Sequence, residues 1–199
     1  MEDKKAELFR YGKELFGRKG FKDTNVADIT KMAGVAVGTF YSYYPSKEKL
    51  FMEIYLAENN ALKRRLMATA DLTDEPPQFI KKMIARNMEG IRSDPILSQW
   101  YNKDVFDKIE RFFREENGLG VMDLFYRDTV KLIEMWQDEG KIRSDIDSGM
   151  IMAMFTAIIN IDTYKEEIGL KYFPQLQEHL TEFVLKGLAP PNRPKEEEK

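Results

Sequence analysis

Apolar positions recur along this chain at intervals of three and four residues from one end to the other, and the alternating β-branched runs that mark half-buried strands are few. The pattern predicts an all-α protein. Leu8, Gly12, Leu15 and Phe16 fall at i, i+4, i+7 and i+8, giving an amphipathic first helix that Gly20 stops. Phe21 can fold back onto its core. Asp23 or Thr24 is placed to cap a second helix with Val26, Ile29 and Met32 or Ala33 on its inner side. Gly34 supplies the backbone freedom for a tight turn into a short third helix, which Pro45-Ser46 ends. Ser46 can cap a fourth helix, with Lys47 and Glu48 in its first turn and Leu50, Ile54 and Leu62 facing inward. A helix, a tight turn and a short helix within Thr24 to Leu50 make a helix-turn-helix, whose second helix is sized for a DNA major groove.

A break follows at Asp71 to Pro77, punctuated by Pro76-Pro77. Beyond it the pattern predicts helices over about 78–91, 96–101, 104–116 and 121–137, interrupted at Gly118 and Gly120 and stopped at Gly140. Ser144-Asp145 or Asp147-Ser148 opens another helix reaching to about Ile168, and Leu176, Leu180, Phe183 and Val184 form one face of a last one. These signals divide the chain into a helix-turn-helix domain at 1–46, a connecting helix at 47–70, a larger helical domain at 71–189 and a disordered tail at 190–199.

Charge sharpens the division. The whole chain of 199 residues carries a formal charge of −3, but residues 1–65 hold 13 Lys/Arg against 9 Asp/Glu, and the remainder holds 18 against 25. The positive part coincides with the helix-turn-helix, as expected where one region meets phosphates. Cysteine is absent, which excludes disulfides and thiolate metal sites. One histidine, no Gly-rich phosphate loop and no metal-ligand cluster argue against an enzyme, and no cofactor is expected. The longest apolar run, Met150 to Ile159, is short of the ~20 residues of a membrane helix, and no signal-peptide pattern opens the chain, so a cytoplasmic protein without membrane association is expected.

Candidate DNA contacts follow from chemistry. On the third helix Val37 can meet a thymine methyl, and small Gly38 lets the backbone approach base edges. Thr39, Tyr41 and Tyr43 carry hydroxyls that can reach phosphates. Lys47 sits at a helix N-terminus where its charge and the backbone N–H groups can face a phosphate; Asn25 and Thr24, near the start of the second helix, are placed similarly. Three tyrosines on so short a helix cannot all point inward, so Phe40 and Tyr44 are expected inside and Tyr41 and Tyr43 outside.

The stretch GF-x2-T-x4-DI-x3-AGV-x2-GTFYSYYPSKEKL resembles the N-terminal domain of the tetracycline-repressor (TetR) family over about residues 5–55. Gly12, where alanine is usual, and Tyr44, where phenylalanine is common, are the departures. The resemblance implies a homodimer presenting two recognition helices to a palindromic double-stranded DNA operator, ~34 Å apart. It also implies that the C-terminal helical domain dimerises and binds a small-molecule effector. The composition there suits an adaptable apolar pocket: Met88, Trp100, Tyr101, Phe106, Phe125 and Tyr126 are candidate ligand contacts, together with Thr156 and Asn160, polar residues inside an apolar segment. Phe155, Leu176, Leu180, Phe183 and Val184 are candidate dimer contacts. The expected function is a ligand-released repressor; the alternative is a DNA-binding dimer controlled by a protein partner or by no effector.

Overall fold

The computed structural model describes residues 4–116, 123–173 and 175–190, with all their side chains except those of residues 110, 111, 113–116, 123–125, 160, 162 and 163. In chain order the helices are α1 (Lys4–Lys19), α2 (Val26–Met32), α3 (Val37–Tyr43), α4 (Lys47–Ala68), α5 (Pro76–Ser93), α6 (Lys103–Glu116), α7 (Asp123–Asp138), α8 (Ser148–Asn160), α9 (Lys165–Ile168) and α10 (Gln175–Gly187). Short 3-10 turns occupy Leu97–Tyr101, Ile161–Tyr164 and Leu170–Tyr172. Every regular element among the described residues is helical, in agreement with the all-α expectation. One predicted helix is interrupted. α8 opens at Asp147, whose carboxylate accepts from the Met150 N–H at 3.1 Å, but it stops at Asn160 rather than running to Ile168. Asn160, Asp162 and Thr163 are weak helix formers and cluster at the break.

The chain packs as two compact units. One unit joins Met1–Thr69 with Ile84–Asp123; the other joins Ala70–Met83 with Leu124–Lys199. α4 packs against α6 as well as α1, so the helix-turn-helix shares a core with later helices instead of standing apart. The tail expected to be disordered lies, from residue 191 onward, outside the described residues.

The first unit is built on Leu8, Leu15, Phe16, Phe21, Ile29, Phe40, Leu50, Phe51 and Ile54, all fully buried. Each contributes about 1.5–3 kcal/mol of burial before entropy is counted. Phe51 meets the edges of Phe16 and Phe21 with ring centroids 5.0 Å from each. A Cβ added at Gly12 would lie 2.8 Å from Leu50 Cδ2, so this glycine permits the close approach of α1 and α4. In the second unit Trp136 packs on Phe79 at 5.3 Å, among buried Leu132, Ile133, Ile151, Met152 and Leu185. Gln137 holds the turn after α7 by donating to the carbonyls of Arg143 and Ile146 at 3.0 and 2.7 Å.

Candidate nucleic-acid interface

Local chemistry sets the helix-turn-helix. Asn25, not Asp23 or Thr24, caps α2: its side-chain oxygen accepts from the Asp28 N–H at 2.8 Å. At the other end Gly34 adopts φ +65°, the Gly34 N–H donates to Lys31 O at 3.3 Å, and the Val35 N–H donates to Thr30 O at 3.0 Å. This paired closure satisfies two carbonyls that the end of a helix leaves open. α3 then begins at Val37, and Ser46 caps α4 by accepting from the Lys49 N–H at 3.2 Å, as its sequence position predicts.

The two faces of α3 differ sharply. Phe40 and Tyr44 are buried in the core, and the Tyr44 hydroxyl donates to Glu53 Oε1 on α4 at 3.4 Å. Lys5 of α1 stands 5.4 Å from the Tyr44 ring centroid and pairs with the same Glu53 at 3.1 Å. The outward face carries Val37 (45% exposed), Tyr41 (55%) and Tyr43 (43%), with Gly38 exposed and Thr39 half-buried. A Cβ at Gly38 would meet nothing within 4 Å, so the fold itself does not demand glycine there. α3 carries no charged side chain. The burial pattern of Phe40, Tyr41, Tyr43 and the capping Tyr44 is the one expected from the helical period.

Two candidate DNA contacts are placed differently from expectation. Thr24 is completely buried, and its hydroxyl donates to Gly20 O at 2.7 Å, closing the turn after α1. Its side chain therefore has no face on the surface. Lys47 is half-buried; its ammonium donates to the carbonyls of Phe21 and Thr24 at 2.8 and 2.7 Å and stands 4.3 Å from the Phe21 ring centroid. Burial lowers its pKa, Lys108 adds to that, and Glu48 and Asp23 oppose it. It is turned inward rather than extended as a phosphate arm. Asn25 is exposed while it caps α2.

The residues proposed for ligand and dimer contacts fall in both units. Met88, Trp100, Tyr101 and Phe106 are half-buried in the first. Trp100 stacks on Tyr55 at 5.4 Å and meets the edge of Phe106 at 4.8 Å. Burial raises the pKa of the Tyr55 hydroxyl, so it stays neutral. Tyr126 and Thr156 are half-buried in the second, where Thr156 donates to Met152 O within its own helix at 2.9 Å. The side chains of Phe125 and Asn160 lie outside the described residues. Of the dimer candidates, Leu176, Leu180 and Val184 are half-buried and Phe183 is 63% exposed, but Phe155 is buried within its own unit. α8 turns Phe155 inward with Ile151, Met152 and Ile158, leaving Met150, Ala153, Ala157 and Ile159 exposed. Sequence reasoning passed over Gln177 and Thr181, polar residues buried on the inner face of α10. Their i, i+4 spacing was visible, but nothing local marked them as inward. The only histidine, His179, is exposed, 3.9 Å from Glu182.

Residues 5–54 match the family described as bacterial regulatory proteins, tetR family. Over that segment the chain carries the TetR-family DNA-binding domain. The matched segment runs from α1 through the first turns of α4, the elements that carry the exposed face of α3. Among curated TetR-type relatives, the transcriptional regulator YerO of Bacillus subtilis is 32% identical over 97 residues, 46% of this chain. This chain spans about a third of the length of YerO, 32%. The transcriptional repressor KstR2 of Rhodococcus jostii is 24% identical over 196 residues, covering 95% of this chain and 93% of its own. These relatives are regulators of transcription. The crystal structure of the regulator FadR from Bacillus subtilis, in complex with stearoyl-CoA, superimposes with a TM-score of 0.57 at 15% identity, over 92% of this chain and 98% of that one. That likeness establishes a shared fold of an N-terminal helix-turn-helix and a larger helical C-terminal part. Among the described residues no helix is long and apolar enough to cross a membrane.

Proposed function

We propose that this chain is a repressor that binds a palindromic DNA operator as a homodimer and is released by a small apolar or amphipathic ligand. The observation that carries the reading is the outward face of α3. Val37, Tyr41 and Tyr43 are exposed on a helix whose opposite side is locked into the core by Phe40 and Tyr44. Exposed apolar and aromatic side chains in a cluster mark a contact surface. With no charge on α3, base reading rests on apolar contact with thymine methyls, close backbone approach at Gly38 and the shape of the duplex. Thr39, Tyr41 and Tyr43 hydroxyls and Asn25 supply phosphate contacts.

Homodimerisation is supported by α10 and α8. Phe183 with Leu176, Leu180 and Val184, and Met150 with Ile159, leave apolar surface uncovered on one copy of the chain. A second copy covers such faces symmetrically. The effector reading is supported by the Met- and aromatic-rich composition around Met88, Trp100, Tyr101, Phe106, Phe125, Tyr126, Thr156 and Asn160, and by a neighbour solved with stearoyl-CoA. A ligand acts by binding one of two conformations more tightly; ~1–3 kcal/mol of coupling changes operator affinity about 5- to 150-fold.

The test is selection of operator sequences from random duplex DNA, with Tyr41→Ala as control. A palindrome with half-sites about one turn apart, bound by the native chain and lost in the variant, is the expected result. No enrichment by a folded dimer would reject the reading.

A further inference from the structure

We infer that Lys47 is a positioning residue: it pins the first turn of α4 to the α1–α2 turn, and so sets the pose of the recognition helix, rather than serving as an arm to DNA phosphate. The inference rests on the reading that α3 binds DNA. Its geometry is independent of that reading.

The segment between Thr24 and Lys47 contains all of α2, the Gly34 turn and α3. At its start are two carbonyls, Phe21 O and Thr24 O, in a turn that belongs to no helix. At its end is Lys47, the first residue of α4. The ammonium bonds both carbonyls, at 2.8 and 2.7 Å, and lies over the Phe21 ring at 4.3 Å. These bonds close the helix-turn-helix into a loop joined at its base, so α2 and α3 move with the α1–α2 turn as one body. Hydrogen bonds with a charged donor are the strong kind, and the partial shielding of this site strengthens them further.

The same turn is held from other sides. Thr24 bonds Gly20 O, and Lys22 pairs with Asp104 on α6. Gln99, from the 3-10 turn before α6, comes close to Gly20, where an added Cβ would lie 3.8 Å from its Oε1. The turn is therefore where α4 and α6 both grip the DNA-binding segment. A phosphate reaching for Lys47 would have to draw the ammonium off two carbonyls that have no other side-chain donor among the described residues.

The experiment uses the full chain with Lys47→Met, which keeps the apolar stem over Phe21, and Lys47→Arg, whose guanidinium can bridge both carbonyls. Amide hydrogen exchange is measured without DNA, and affinity for the selected operator and for random duplex is measured across salt concentrations. Positioning predicts faster exchange over residues 25–46 in Lys47→Met. It also predicts operator affinity lower by about tenfold to a hundredfold, with random-duplex affinity and salt slope unchanged and recovery in Lys47→Arg. A salt slope shallower by about one, with equal loss on operator and random duplex, identifies a phosphate contact and overturns the inference. Unchanged exchange, or unchanged operator affinity, overturns it as well. Should Lys47→Met not fold, Lys47→Gln, which is neutral and one atom too short to bridge both carbonyls, is read by the same measurements. If the native chain binds no duplex, the DNA reading fails while the exchange data still decide the pin.

Discussion

α3 and α10 are both short amphipathic helices with large apolar side chains facing outward, yet their inner faces differ in polarity. Under α3 lie Phe40 and Tyr44, fully buried and apolar but for one hydroxyl that finds Glu53. Under α10 lie two polar residues, Gln177 and Thr181, buried beside Leu185, while Phe183 stands 63% exposed. Gln177 donates to Ile158 O at 3.2 Å, but its Oε1 has no hydrogen-bond partner among the described residues. The contrast separates two kinds of exposed apolar surface. α3 satisfies its own unit first and leaves a modest, hydroxyl-bearing face for a polar partner. α10 turns its better apolar stripe away from its own unit, which makes sense where an equally apolar surface covers it.

The comparison can be broken first at Phe40. Phe40→Ala removes a fully buried ring, and a loss of about 3–5 kcal/mol is expected in thermal or denaturant unfolding. A loss below 1 kcal/mol would mean that α3 is not held by its inner face. At α10 the prediction is reversed. Phe183→Glu should leave the fold of each subunit intact by circular dichroism, yet raise the dimer dissociation constant at least about tenfold in sedimentation. A variant that stays dimeric at the native concentration range removes α10 from the interface.

Gly38→Ala sharpens the α3 side. Added to open space in a helix, the methyl should stabilise the protein by up to about 1 kcal/mol while weakening operator binding. Unimpaired binding would show that no base edge comes close to this backbone. The smallest effect is expected at Gln177. Gln177→Leu removes a buried polar group with an unpaired oxygen, so unfolding free energy should change by no more than about 1 kcal/mol, in the stabilising direction. Clear destabilisation would reveal a partner for Oε1 supplied from outside the described residues.

Much of the helix-turn-helix was legible because its determinants are local. The Gly34 turn, the Ser46 cap and the inward or outward sense of Phe40, Tyr41, Tyr43 and Tyr44 depend on a few neighbouring residues and on the 3.6-residue period. Thr24 was misread for a physical reason: as a capping type it fits the start of α2, but the positive φ of Gly20 bends the chain so that its hydroxyl reaches back to Gly20 O, and Asn25 takes the cap. Phe155 shows a second limit. α8 is apolar around most of its circumference, so periodicity cannot say which side faces its own unit.

The amino-acid sequence by itself determined the all-helical class, the helix-turn-helix with its family, and the division of α3 into a core side and a free side. These follow from backbone freedom at one glycine, from caps and from side-chain period, all of which act within a turn or two of chain. Only the tertiary structure decided that Lys47 turns to the Phe21 and Thr24 carbonyls, that α6 shares a core with the DNA-binding helices, and that α10 buries glutamine and threonine while exposing phenylalanine. Those outcomes depend on which distant groups arrive within bonding distance of one another, and no local pattern encodes that meeting.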